Sequence, residues 1–170
     1  MIVVSDTTPI ISLLKINRLN LLHSLYGDVY IPETVFYELV HNRKFQHEAE
    51  TIINADFIRV MEVYDINSVI LLRRAAGLDA GESEAIILSD KIHADLILMD
   101  EVIGRQVARQ MGLTITGTIG ILMTAFEEHL LTAEEIQQSI IELKINGRHI
   151  SDRLFAQLLD RIRFSEQGTD

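Results

Sequence analysis

The spacing of apolar residues along the chain changes repeatedly, and each change marks an element. Ile2-Val3-Val4 is a short unbroken apolar run, the pattern of a buried strand. Thr8 and Pro9 then read as an N-cap and first-turn proline, with Ile10, Ile11, Leu13 and Leu14 on the helix they open. A short helix over Leu19 to Leu25 is stopped by Gly27. Val29-Tyr30-Ile31 is a second strand, and Pro32 opens a helix from Glu33 to Val40. After a polar stretch from His41 to His47, a helix is expected at Glu48 to Asn54, a strand at Phe57 to Val63 and a helix at Asn67 to Ala76. The Gly77–Gly81 break leads into a helix reaching Ile92. Leu96-Ile97-Leu98-Met99 is the clearest strand, followed by a helix over Glu101 to Met111 that Gly112 closes. Leu113 to Thr116 is a last strand, and Thr118 to His129 a helix.

Strands alternating with helices predict parallel pairing and right-handed crossovers, hence a three-layer α/β/α domain around a central parallel sheet. Two further helices are expected between Thr132 and Ile162, the first opened by a Thr132–Glu135 capping box and the pair separated by a turn at Asn146-Gly147. The expected organisation is one domain: a main body over residues 1–130, a helical C-terminal extension over 131–164 and a frayed tail over 165–170.

Composition narrows the chemistry. The chain of 170 residues is 48% hydrophobic and has no cysteine. It can therefore bury a sizeable core, but not with disulfides or thiolate metal sites. Its N-terminus lacks the basic start of a secretory signal, and its apolar runs are too short to span a bilayer. The reading is a soluble, cytoplasmic protein with no membrane role. A net charge of −10 argues against broad binding to polyanions, yet leaves room for acids gathered around a cation.

Ligand sites of parallel α/β sheets lie beyond the carboxyl ends of the strands. Asp6 and Asp100 each follow an apolar strand at such a place. Either acid could instead cap the helix that follows, although Thr8 is better placed than Asp6 to do so. Glu38 lies on a largely apolar helix, where a carboxylate is costly unless paired, metal-bound or at a solvated edge. Glu82 and Glu84 open the next helix, and Asp79 with Glu82 could be no more than a capping box. Taken together, oxygen donors without Cys or a His cluster suit a hard cation, Mg2+ or Mn2+.

At these residues the chain resembles the PIN-domain nucleases, including the VapC-type toxins. The similarity rests on Val3-Val4-Ser5-Asp6-Thr7-Thr8-Pro9, Ile31 to Val40, Gly77 to Ile86, Leu96 to Glu101 and Gly112 to Gly120, in that order. The resemblance implies metal-dependent RNA cleavage, with Asp6, Glu38, Glu82 and Asp100 as catalytic and metal-holding acids. Thr7, Glu84 and Glu101 would support them. The family's third acid is usually Asp, so Glu82 departs from the commoner pattern, and Glu84 is its rival. The resemblance also implies RNA as substrate, and leaves open a toxin role with a small antitoxin protein as partner, and a homodimer.

Lys15, Arg18, Arg43, Lys44, Arg105 and Arg109 are candidate phosphate contacts by type, Arg105 foremost because it lies one turn beyond Asp100 and Glu101. An ion pair between Arg105 and Glu101 is the structural alternative. A PIN-like module that binds RNA or protein without cutting is the rival function. A receiver domain would want adjacent acids at the first strand and a strand-end Lys. A dinucleotide-binding domain would want Gly-x-Gly-x-x-Gly after that strand, and the chain has none there.

Overall fold

The computed structural model describes residues 1–41 and 48–167, so Arg43, Lys44 and most of the expected polar stretch lie outside the described residues. The chain divides into two compact units, Met1–Thr118 and Ile119–Asp170.

The first unit opens with β1 (Val3–Ser5), α1 (Thr7–Lys15), α2 (Asn20–Tyr26), β2 (Val29–Pro32) and α3 (Glu33–His41). Next come α4 (Ala49–Ile53), β3 (Ile58–Met61), α5 (Ile66–Ala76) and α6 (Ala80–Lys91). It ends with β4 (Leu96–Leu98), α7 (Val102–Gln110) and β5 (Ile115–Thr116). All the strand pairs are parallel, in the order β3-β2-β1-β4-β5. This is the expected three-layer α/β/α architecture.

The order of the strands sets the position of the site. From β1 the chain builds outward through β2 and β3, then crosses back to add β4 and β5 on the other side. The winding order therefore reverses between β1 and β4, the kind of switch point at which parallel α/β sheets place their ligand sites. Those two strands pair with Val3 opposite Leu96 and Ser5 opposite Leu98. Residues that leave β1 and β4 emerge at the same edge.

The core explains which elements are rigid. Every residue of β1 is buried, as a central parallel strand requires. Helix α6 is buried around most of its circumference, through Gly81, Glu82, Ser83, Ala85, Ile86, Ile87, Leu88 and Ser89. It packs on β1, β2, β4, α3, α5 and α7. A helix enclosed this far holds its first turn in a fixed place.

Helix starts shift by a residue or two from the sequence reading, and two of the shifts bear on the site. Helix α1 begins at Thr7, so Asp6 rather than Thr8 stands at the N-cap position. Pro9 is the third helical residue, still inside the first turn, where a missing N–H costs no helical bond. Helix α7 begins at Val102, with Glu101 rather than Asp100 at its N-cap.

The second unit contains α8 (Thr118–Glu127) from its second residue onward, α9 (Ala133–Ile145) and α10 (Asp152–Gln167). The Thr132–Glu135 capping box is formed in both directions. Helices α9 and α10 pack together, with Lys144 Nζ 3.4 Å from Asp152 and 4.9 Å from the Phe155 ring centre. Arg161 pairs with Glu127. Helix α10 runs to Gln167, and the rest of the expected tail lies outside the described residues.

Candidate active site

Asp6 leaves β1 at the point where the sheet reverses. Its N–H donates to the Leu98 carbonyl at 3.0 Å, which carries the β1–β4 ladder one step past Ser5. It occupies the N-cap position of α1, yet its side chain makes no capping hydrogen bond. A cap role therefore does not account for the carboxylate. The residue is only 3% exposed. Burial raises its pKa from 3.8 to about 7, opposed by a hydrogen bond from the Thr7 backbone N–H and reinforced by the charges of Asp79, Glu82 and Glu38.

Glu38 reaches this point from the second turn of α3. Its Oε2 accepts a 2.7 Å hydrogen bond from the Thr7 hydroxyl. The side chain is half-buried. Thr7 thus donates from its N–H to one acid and from its hydroxyl to another.

Glu82 arrives on α6. It forms a reciprocal capping box with Asp79: Glu82 Oε2 accepts from the Asp79 N–H at 2.9 Å, and Asp79 Oδ1 accepts from the Glu82 N–H at 2.8 Å. Burial raises the pKa of Glu82; the bond from the Asp79 N–H lowers it, and the charges of Asp79, Glu101 and Glu38 raise it further. Glu82 is therefore both a capping residue and a member of the acidic group. Glu84 is half-buried and lies about 200° around the helix from Glu82. Glu101 is exposed at the α7 N-cap and contributes through its field on Glu82.

Glycines let these elements approach. A Cβ on Gly81 would lie 3.5 Å from Glu38 Oε2 and 3.6 Å from Asp6 Oδ1, so two carboxylates meet against this one backbone position. A Cβ on Gly104 would lie 3.3 Å from Glu82 Oε1, which shows that this second oxygen faces α7.

Asp100 emerges at the same edge but is engaged differently. Its Oδ1 accepts from the Thr118 N–H at 2.8 Å, and its Oδ2 from the Thr118 hydroxyl at 2.5 Å. It thus satisfies an otherwise orphaned donor at the start of α8, a helix other than the one that follows it in sequence. Arg105 folds back over the end of β4, where its Nη1 donates to the Met99 carbonyl at 2.8 Å. Burial and Arg109 lower the Arg105 pKa, against the nearby Asp100 charge, which raises it.

The geometry brings Asp6, Glu38 and Glu82 together and adds Asp79, whose charge sequence reasoning assigned only to capping. It also reveals Thr118 as the partner of Asp100, a contact with no local sequence signal. Among the described residues, no three Asp, Glu or His side chains converge as a ready metal-ligating group. The acids are instead held by N–H and hydroxyl donors. Their field is strongly negative around a buried carboxylate, and their donors are all oxygen, so the chemistry of the set fits a hard cation.

No curated protein matches the sequence. A family model described as a PIN domain matches residues 2–163, nearly the whole chain. That match carries a nuclease-type function, and the use of divalent metal, at the level of the family. An all-parallel sheet with acids at its point of reversal and a match of this length agree: the chain belongs to the PIN-domain family.

Proposed function

We propose that this protein is a divalent-metal-dependent ribonuclease in which Asp6, Glu38, Glu82 and Asp100 hold Mg2+ or Mn2+. The observation that carries the reading is Asp6: a buried carboxylate at the sheet reversal, surrounded by acids and raised to about 7. The capping box accounts for Asp79 and Glu82, but it gives no reason to set the carboxylates of Asp6 and Glu38 beside them, because the charges repel one another. A cation offsets the repulsion.

The metal would supply positive charge at a phosphodiester and acidify a water molecule. Asp6 and Glu38 offer converging oxygens beside Gly81, and Glu82 offers the oxygen that faces α7. Thr7 positions Glu38. Glu84 and Glu101 support the group from outside, and Arg105 keeps further donors for a substrate phosphate. The finer reading is a toxin of the VapC type, acting on cytoplasmic RNA and held silent by a small antitoxin. A neighbouring gene for a short DNA-binding protein would support that pairing. In this reading the C-terminal helices are an extension of the nuclease domain, and the protein is a homodimer.

The test pairs binding with turnover. Mn2+ is expected to raise the melting temperature of the wild type but not of Asp6→Asn, and only the wild type should cleave a mixed RNA pool. Full cleavage by soluble Asp6→Asn would overturn the mechanism. A second reading, a PIN module that binds RNA or protein without cutting, is favoured by one observation: each oxygen of Asp100 already accepts a hydrogen bond from Thr118. RNA binding by the wild type with neither Mn2+ stabilisation nor cleavage would select it.

A further inference from the structure

Helix α5 packs on α6, the helix that carries Glu82, and its last turn carries two adjacent arginines, Arg73 and Arg74. Both are exposed. In a chain with 25 acidic and 15 basic residues, pairing would be easy to arrange. Elsewhere it is arranged: Arg59 pairs with Asp28 and Lys91 with Asp65. Among the described residues, neither Arg73 nor Arg74 has a side-chain partner.

Together with Ile70 and Leu78, the two arginines line a recess of about 400 Å³. Ile70, Arg73 and Arg74 fall on one helical face by their i, i+3 and i+4 spacing. Leu78 is buried, and Ile70 is 40% exposed, so the recess has an apolar floor under two guanidinium groups. Gly77 ends the helix in the left-handed region, at φ 71°, and its N–H returns to the Arg73 carbonyl. The chain then passes through Leu78 directly into Asp79, which is hydrogen-bonded to Glu82 and raises the pKa of Asp6. The last lining residue of the recess is therefore the chain neighbour of Asp79.

Such a ledge suits a polyanion laid across it: the guanidinium groups meet phosphate oxygens and the apolar floor meets a sugar or base face. It also answers a problem set by the net charge. A strand carrying phosphates is repelled by most of this surface and needs a local cationic hold near the site. We infer that Arg73 and Arg74 bind the backbone phosphates of a single-stranded RNA next to the cleavage site, an inference that rests on the ribonuclease reading above. The structural alternative is that both merely complement the negative end of the α5 dipole.

The test compares the wild type, the double variant Arg73→Ala/Arg74→Ala and the double Lys variant. The probe is a labelled, mixed-sequence single-stranded RNA, titrated at several salt concentrations in Ca2+. Removing both charges is expected to weaken binding about tenfold and flatten the log–log salt slope by about 1.4. In Mn2+, KM for RNA cleavage should rise while kcat and the melting temperature hold. The Lys pair should recover the salt slope but only part of the affinity. Unchanged affinity, slope and KM in an RNA-cleaving protein would overturn the ledge and leave the nuclease reading intact. No RNA binding or cleavage by the wild type would overturn both. Tighter charge-dependent binding of an acidic peptide than of RNA would assign the recess to a protein partner and likewise overturn it.

Discussion

The Thr7 hydroxyl donates a 2.7 Å hydrogen bond to Glu38 Oε2 and so joins the first turn of α1 to the second turn of α3. These elements come from separate crossovers, and the bond fixes the only acid of the group that α3 supplies. Thr7→Val keeps the shape and removes the donor. A partly exposed Glu38 can recover water, so the stability loss should be modest, about 1 kcal/mol by urea unfolding. Metal affinity should suffer more, by about 10- to 100-fold, as expected when a residue that orients a ligand is lost. Equal Mn2+ affinity in wild type and variant would show that Glu38 does not hold the cation.

The metal-free protein should respond to pH through Asp6. Its carboxyl titrates at 3.8 when unperturbed and at about 7 in the fold, so the folded state holds the proton more tightly than the unfolded chain. The resulting stabilisation is complete below 3.8 and is lost as the pH rises through about 7. Asp6→Asn cannot ionise and escapes this loss. In chelator, its melting temperature should exceed that of the wild type by several degrees at about pH 8, and the advantage should shrink toward about pH 5. Added Mn2+ should reverse the ranking at the higher pH. A wild type and variant that melt in parallel across this range would contradict the buried, strained carboxylate.

Much of this was legible in the sequence because the signals are local. The apolar runs gave β1 and β4, and an acid directly after each run places it at a strand end. The Asp79–Glu82 and Thr132–Glu135 boxes follow from four-residue patterns and are formed. What escaped depends on tertiary approach. Asp100 meets Thr118, 18 positions away, only after β4 and β5 pair. Asp79 joins the acidic group only because α6 packs its first turn against β1. The α1 start lies two residues earlier than Thr8 and Pro9 imply, because Pro9 fits anywhere in a first helical turn and so does not fix the cap.

Gly117 should tolerate no side chain. A Cβ there would fall 2.5 Å from Asp100 Oδ1 and 2.9 Å from Arg105 Nη1, with the Met99 carbonyl at 3.2 Å. Two anchored polar groups and a backbone oxygen leave little room to relax. Gly117→Ala is expected to cost about 1–3 kcal/mol in unfolding experiments. Gly104→Ala should cost less, because its closest neighbour is the flexible end of Met99. The opposite ranking would mean that the Asp100–Arg105 corner is looser than its hydrogen bonds require.

Asp100 has two roles open to it, and Thr118 separates them. As a helix-start acceptor it needs only the N–H and hydroxyl of Thr118. As a metal-holding acid it needs that same pair to aim its oxygens toward Asp6. Thr118→Val deletes the 2.5 Å hydroxyl bond and keeps the N–H bond. In chelator the variant should lose about 1.5–3 kcal/mol, the range for a hydrogen bond to a charged group. In Mn2+ the two roles diverge. If Asp100 holds the cation, Thr118→Val and Asp100→Asn should each reduce the Mn2+-induced rise in melting temperature. The double variant should then lose little more than Asp100→Asn alone, because both changes act through one carboxylate. If Asp100 serves only the helix start, all three variants should show the full Mn2+ shift from a lower baseline. That second result would remove Asp100 from the metal-holding group and leave Asp6, Glu38 and Glu82 as its members.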